Sequence, residues 1–353
     1  MSVGLLPVAI SSLQLESAEY GPIWNMAITA YLIVHNEASV IERCLRSISS
    51  FVDEICIVDS GSDDGTVEIA RRFGAHVKID RLLADRAGRL RDFSAARNAV
   101  LKMATGRWVL SIDADEVFHV AQPPELRELL GKVGLSAIEM RIQSGGVSWF
   151  LPRLFLRKPW TRWHERVHEW VEIRGKTIPT DCAMIENLPC KIGKESAAHR
   201  DLRLCNWQLR ENPDNLRAVF YLARALRHLG RYRDALPYYS RYWRESDFTA
   251  GRYSVAISAA ICRLIVHDFE GSRRWAMRAY RLDSQLAEAC CILGDANVGL
   301  GRLDLAVGWF KRAKSKTLPT GKNHLYVDRS SYHEYPLARL QWISELLLRS
   351  AVN

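Results

Sequence analysis

The chain contains no run of apolar residues long enough to cross a bilayer as a helix, which takes about 20 residues, so no spanning segment is expected. Its eight cysteines include no C-x-x-C pair, which removes the simplest zinc-ribbon and thioredoxin-type patterns. Several lie in apolar periodic text, where a thiol serves as a small hydrophobe. This usage points to a reducing, cytoplasmic compartment. Residues 1–25 have neither Lys nor Arg and no small-residue cleavage site, which argues against a signal peptide. They are expected to form an N-terminal arm with no assigned role.

What is present suits a globular protein of two domains: 353 residues, 48% apolar and 25% charged. The net charge of +9 is unevenly placed. Residues 1–200 carry 25 basic and 25 acidic side chains, whereas 201–353 carry 24 basic and 15 acidic, so the whole excess lies in the second part. A basic half can meet a phosphate-rich or acidic partner, although a solvated Arg-rich helical surface is the simpler explanation.

From Ala27 the text alternates β-rich runs with helical periods. ITAYLIV reads as a strand buried on both faces, VIERCLRSI places Ile41, Cys44, Leu45 and Ile48 on one helical face, and ICIVDSGSDDGT reads as strand then turn. Asp64 or Thr66 can cap the helix VEIARRFG, which stops at Gly74. A basic loop and a helix from about Ser94 lead to the strand RWVLSIDAD. These are the β-α units of an α/β fold, expected over 26–198. Beyond about 199 the pattern is wholly helical to 353. Small residues recur as Ala223, Gly230, Ala235 and again as Gly294, Gly301, Ala306, an offset of 71, with a degenerate copy near 256–284. That spacing resembles tetratricopeptide repeats, stacked helix pairs.

The acids Asp113, Asp115 and Glu116 crowd the tip of a strand. Side chains two apart on a strand share a face, so Asp113 and Asp115 are expected to project together, and with Asp59 to border the crevice beyond the carboxyl ends of the strands. Hard oxygens without a nearby thiol favour Mg²⁺ or Mn²⁺ shared with substrate phosphates. Arg81, Arg86, Arg89, Arg91 and Arg97 before this strand have the chemistry to hold phosphate oxygens.

Read in order, LIVHNEASVIERCLRSISSFVDEICIVDSGSDDGTVEIARRFGAHV and DFSAARNAVLKMATGRWVLSIDADE resemble the family 2 glycosyltransferases of the GT-A fold. The branch most alike carries C-terminal tetratricopeptide repeats and includes bacteriocin S-glycosyltransferases and relatives of lipopolysaccharide-core transferases. The resemblance implies a Rossmann-like nucleotide-sugar-binding domain followed by an all-α repeat domain. It implies that His35, Asn36 and Glu37 border the nucleotide base, that Asp59 contacts base or ribose, and that Arg97 and Asn98 form the A-R-N motif. It further implies that Asp113 faces ribose and sugar and that Asp115 ligates the metal. His35 departs from the Lys or Tyr common in relatives.

LPRLFLRKPWTRWHERVHEW resembles the family's R-L-F-R stretch followed by V-H-E. On that basis His168 approaches the metal or diphosphate and Glu169 is the acceptor-side base, with Glu116 and His168 behind it. The same stretch holds His164, Glu165 and His168 as H-E-x-x-H, but its alternation reads as strand, whereas a zinc peptidase needs a helix there. The expected activity is inverting, metal-dependent transfer from a nucleoside-diphosphate sugar, UDP-sugar foremost, to a saccharide, peptide or nucleic-acid acceptor near the repeats. The alternatives are transfer to a hydroxymethylated DNA base and a catalytically inactive repeat-based adaptor. A homo-oligomer is compatible with each.

Overall fold

The computed structural model describes residues 27–145, 147–190, 194–319 and 327–352. The expected N-terminal arm lies outside them. The chain divides into two compact units, Met1–Ile192 and Gly193–Asn353. Among the described residues no helix is long and apolar enough to cross a membrane.

The first unit opens with the expected alternation: β1 (Ile28–Val34), α1 (Ile41–Ile48), β2 (Glu54–Asp59), α2 (Thr66–Arg72) and β3 (His76–Ile79). After α3 (Phe93–Leu101) come β4 (Trp108–Ser111), β5 (Glu116–Val120), α4 (Pro123–Leu130), β6 (Leu135–Ser144), β7 (Val147–Leu156), β8 (Trp163–His164), β9 (Trp170–Val171) and β10 (Lys176–Asn187). Eight strands form one sheet in the order β3-β2-β1-β4-β7-β6-β10-β5, while β8 and β9 make a separate hairpin. The run β3-β2-β1-β4 is parallel, so the carboxyl ends of β1, β2 and β4 share one edge. One face of the sheet buries Leu32, Leu110 and Ile112 with Cys44, Leu45 and Ile48 of α1; Tyr31, Val109 and Phe155 pack on the other face with Val100 of α3.

Two local features differ from the alternation read in sequence. β4 ends at Ser111, so Asp113 and Asp115 lie on the turn between β4 and β5, and strand parity does not orient them. Between β6 and β7 the register shifts at Ile138/Glu139, where Ile138 pairs Leu154 and Glu139 pairs Pro152, leaving Arg153 as the extra residue. A bulge of this kind re-aims a side chain, here toward the acidic turn.

The second unit is a run of helices, each packed on the next: α5 (Ala197–Glu211), α6 (Leu216–His228), α7 (Tyr232–Glu245), α8 (Thr249–Ile265), α9 (Phe269–Leu282), α10 (Glu288–Gly299), α11 (Leu303–Lys314) and α12 (Glu334–Val352). The pairs α6–α7, α8–α9 and α10–α11 are the three repeats. Ala223, Ala235 and Ala306 are fully buried at the expected small positions, and Gly294 lies against the Phe310 ring. Gly230 and Gly301 take positive φ of 74° and 71° in the turns between paired helices, which glycine does without strain.

Candidate active site

The acidic turn is held by two arginines. The N-cap Asp92 of α3 accepts from the Ala95 amide at 2.8 Å, and one helical turn later Arg97 points at the ends of the strands. Its Nη2 donates to Asp113 Oδ1 at 2.9 Å, its Nη1 to Ser111 Oγ at 3.3 Å and its Nε to Glu169 Oε1 at 2.7 Å. The guanidinium also lies 4.9 Å from the centre of the Trp163 ring, whose Nε1 donates to the Tyr31 hydroxyl at 2.7 Å. Burial opposes the charge on Arg97, but Asp113 and Glu169 outweigh it and raise its affinity for the proton. Burial likewise pushes the Tyr31 phenol up to about 12.

Arg153 makes the second contact. Its Nη2 donates to Glu116 Oε1 at 2.6 Å, its Nη1 to the Ser111 carbonyl at 3.3 Å, and Nη1 lies 4.0 Å from Asp113 Oδ2. Glu116 is completely buried, and its other oxygen accepts from the Asp113 amide at 2.9 Å. Burial raises the Glu116 carboxyl to about 7, against the pull of Arg153. With both oxygens bound and no exposure, Glu116 is withdrawn as an acceptor-side base; it braces the turn.

The expected site residues fall into three groups. Asp113, Arg97 and Glu169 are joined directly. Asp115 is half-buried on the same turn, its carbonyl accepting the Leu188 amide at 3.0 Å. His168 is half-buried beside Glu169 with φ of +55°, and Glu165 sits at +75° in the same loop. Such backbone is costly for a side-chain-bearing residue and concentrates where geometry matters to function.

The loop after β1 forms the second group and is sewn to the loop after β2. Asn36, at φ of +53°, donates its amide to Ser62 Oγ at 2.8 Å and accepts the Asp63 amide on Oδ1 at 3.0 Å. The Glu37 amide donates to Thr66 Oγ1 at 2.8 Å and the Ala38 amide to Asp64 Oδ2 at 2.9 Å, so Asp64 and Thr66 tie the two loops together; neither is the expected cap of α2, whose N-cap is Gly65 with no side-chain capping bond. Asp59 is buried, its Oδ1 accepting the Gly61 and Ser62 amides at 2.8 and 2.9 Å and its Oδ2 the Ser62 hydroxyl, so it shapes its own turn. His35 Nδ1 is buried without a hydrogen-bond partner among the described residues. Gly88, at φ of +74°, lies against that ring: a Cβ there would meet His35 Nε2 at 2.9 Å.

Asn98 stands apart. Its amide exchanges two hydrogen bonds with the Trp163 backbone, at 2.8 and 2.9 Å, and thereby docks the β8–β9 hairpin on α3. Of the arginines before β4, Arg89 pairs with Asp85 at 2.9 Å within its own loop, and Arg81 packs on Gly61. His164 stacks on Trp170 at 4.5 Å and faces Glu172 at 3.3 Å in the hairpin, so the H-E-x-x-H residues occupy no helix. Among the described residues no three His, Cys, Asp or Glu side chains gather as a ready-made metal site.

Sequence reasoning missed Arg153, Trp163, Tyr31 and Ser111 as parts of this centre. The first lay in the quoted R-L-F-R text without a role; the others were legible only as core.

Residues 29–192 match the model of glycosyl transferase family 2. A TPR repeat-containing protein of Synechococcus elongatus is 37% identical over 149 residues, 41% of this chain and 35% of that protein. The SPbeta prophage-derived glycosyltransferase SunS of Bacillus subtilis is 25% identical over 274 residues, 73% of this chain and 63% of SunS. The chain thus spans less than two thirds of either relative's length. The solved structure of MamA 41-end from Desulfovibrio magneticus RS-1 overlaps 44% of this chain and 88% of its own, at a TM-score of 0.32 and 16% identity. By the family match and the sheet described above, residues 29–192 of the first unit carry the glycosyl transferase family 2 domain, and a unit of paired helices follows it.

Proposed function

We propose that the chain transfers a sugar, with inversion, from a nucleoside-diphosphate sugar to an acceptor, UDP-sugar being the donor to try first. The observation that carries this reading is the Arg97 clamp. One buried guanidinium joins Asp113, on the turn beyond the parallel strands, to Glu169, on the loop after β8. It fixes two carboxylates of separate segments around one space at the edge where open α/β sheets bind ligands.

Asp115 is the residue we assign to a divalent ion. Its turn offers hard carboxylate oxygen and Asp113 is already engaged by Arg97, which fits an ion that takes one or two carboxylates and completes its shell with diphosphate oxygens. Bound there, Mn²⁺ or Mg²⁺ supplies charge neutralisation for a departing nucleoside diphosphate. His168 borders this place as a further ligand or a diphosphate contact. Asn36, Glu37 and His35 line the loop we assign to the base, and the buried, unpartnered His35 Nδ1 is suited to a donor or acceptor on it.

Glu169 is the assigned acceptor-side base. Arg97 occupies Oε1 and orients the carboxylate, while Oε2 makes no hydrogen bond among the described residues. Arg97 itself is a positioning residue, since each of its three guanidinium nitrogens donates to a protein group. Incubation with Mn²⁺ and a panel of nucleotide sugars, read by mass spectrometry of released nucleotide and candidate acceptors, tests the assignment. Turnover of at least one donor, lost in Asp115→Ala, is expected; no turnover of any donor, with unchanged nucleotide binding in that variant, sinks it.

A further inference from the structure

The charge excess of the chain lies in the helical unit, and there arginines repeatedly cover aromatic rings. Aromatic-x-x-Arg recurs at the same place in the second helix of each repeat: Tyr238 and Arg241 in α7, Trp275 and Arg278 in α9, Trp309 and Arg312 in α11. Trp243 and Trp275 meet edge to face with centroids 5.7 Å apart, Arg252 lies 4.4 Å over Trp243, and Arg278 lies 4.4 Å over Trp275 and 5.6 Å from Trp243. One repeat further, Arg312 covers Trp309 at 4.9 Å and Tyr280 at 5.9 Å.

The guanidiniums that lie over these rings are preorganised and uncompensated, whereas Arg241 in the first repeat pairs with Glu245 and Asp214. Among the described residues Arg252, Arg278 and Arg312 form no ion pair with a carboxylate, and the Nε of Arg252 is buried without a partner. Burial, with Arg263 and Arg274 nearby, lowers the proton affinity of Arg278, as expected where cations crowd without counter-charge. A ring beneath a guanidinium fixes its plane and leaves the N–H edges for a bidentate anion.

We propose that this arginine face of the repeat unit is a docking surface for an acidic polypeptide segment, whose Asp and Glu carboxylates pair with Arg252 and Arg278 and, one repeat along, with Arg312. The proposal is independent of the sugar-transfer reading. A polypeptide is favoured over nucleic acid on two grounds. Single strands bind by stacking bases on aromatic faces, and here Trp275 is only 5% exposed and the rings are already covered by arginine. The cation sites are also discrete, two in the α8–α9 repeat and one in the α10–α11 repeat, which separate carboxylates along an extended acidic chain can meet, whereas a phosphate backbone presents uniform charge.

The test uses the full chain and fluorescence anisotropy with a labelled polyglutamate of roughly 20 residues, long enough to reach across two repeats. A duplex DNA and a polylysine of similar length serve as competing probes. Polyglutamate is expected to bind and to be released by salt. Arg278→Glu and Arg312→Glu are each expected to weaken binding roughly ten-fold or more, since like charges then face each other. Arg233→Glu, the same charge change at an exposed site on α7, is expected to leave binding within about two-fold of the original. Unchanged thermal melting shows that each variant is folded, and Arg278→Lys, which keeps the charge without the planar fork, gives an intermediate loss if Arg278→Glu is not. Equal loss in Arg233→Glu, tighter binding of duplex DNA than of polyglutamate, or no polyglutamate binding at low salt overturns the proposal.

Discussion

Arg97 reaches Asp113 across 16 residues of sequence and holds it at 2.9 Å while its own side chain is 7% exposed. A charge buried to that degree is tolerated because two carboxylates and a ring surround it. The arginine of the A-R-N motif is therefore a structural tie for the acidic turn, with its donors directed at protein groups.

Replacing Arg97 by Lys keeps the charge but cannot reach both acids. Stability is expected to fall by about 3 kcal/mol, the cost of breaking a buried pair from one side. Transfer is expected to fall about 100-fold, because Asp113 and Glu169 lose their fixed positions. Urea unfolding reads the first and steady-state kinetics the second; a variant as stable as the original would show that the clamp contributes nothing net.

The Glu116 carboxyl gives a pH signature with a definite sign. Burial raises it to about 7 in the folded chain. Between the ordinary carboxylate range and about 7 the folded state therefore binds more protons than the unfolded one, so stability falls as pH rises across that window and levels off above it. Glu116→Gln removes this titration. Its urea midpoint is expected to decline less between about pH 5 and pH 8 than that of the unsubstituted chain. Identical slopes would mean that Arg153 keeps Glu116 ionised throughout.

These two arginines also show what was legible in the sequence. Arg97 sits in an ordered motif, and the alternation from Ile28 to Ile79 gave β1 to β3 and their helices because a parallel sheet buried on both faces enforces apolar runs. Arg153 was hidden, because a bulge is a property of pairing between β6 and β7 and has no local signature. The turn at Asp113 was also misread. Ser111, Asp113 and Asp115 alternate as a strand would, yet the chain leaves the sheet at Ile112 so that Glu116 can begin an edge strand paired with β10. Asn98 and Asp59 were legible as motif residues, whereas their engagement by Trp163 and by Ser62 follows only from tertiary structure.

Removal of divalent ions tests Asp115 independently of the donor's identity. Chelation is expected to abolish transfer and Mn²⁺ or Mg²⁺ to restore it, while Asp115→Asn remains inactive at saturating metal. Folding should be largely retained in that variant, since Asn is nearly isosteric with Asp and Asp115 is only half-buried on the turn. Full activity in metal-free buffer would remove Asp115 from the role assigned to it.

The contact of Gly88 with His35 makes the loop before α3 a determinant of donor binding. An alanine there meets two penalties: positive φ, which costs about 1 kcal/mol, and a Cβ pressed on His35 Nε2. Gly88→Ala is expected to raise KM for the nucleotide sugar several-fold with a smaller change in kcat, because the loop assigned to the base is displaced while the acidic turn is untouched. A fall in kcat alone would place the loop's influence elsewhere.

The repeat unit depends on Gly294 in a way that a double substitution can isolate. A Cβ on Gly294 would lie 2.5 Å from Cε1 and Cζ of Phe310, which is fully buried against Ile343 and Ala306, so the ring has nowhere to retreat. Gly294→Ala improves helix propensity by about 1 kcal/mol, yet the overpacking is expected to outweigh that and destabilise the unit by about 2 kcal/mol net. Phe310→Leu alone leaves a void and is also destabilising. Because the added methyl and the smaller side chain relieve each other, the pair should be less destabilised than the sum of the singles, a coupling read from urea midpoints of the four proteins. Strict additivity would mean that α10 and α11 separate to admit the methyl group, and that the small residue is not what sets their distance.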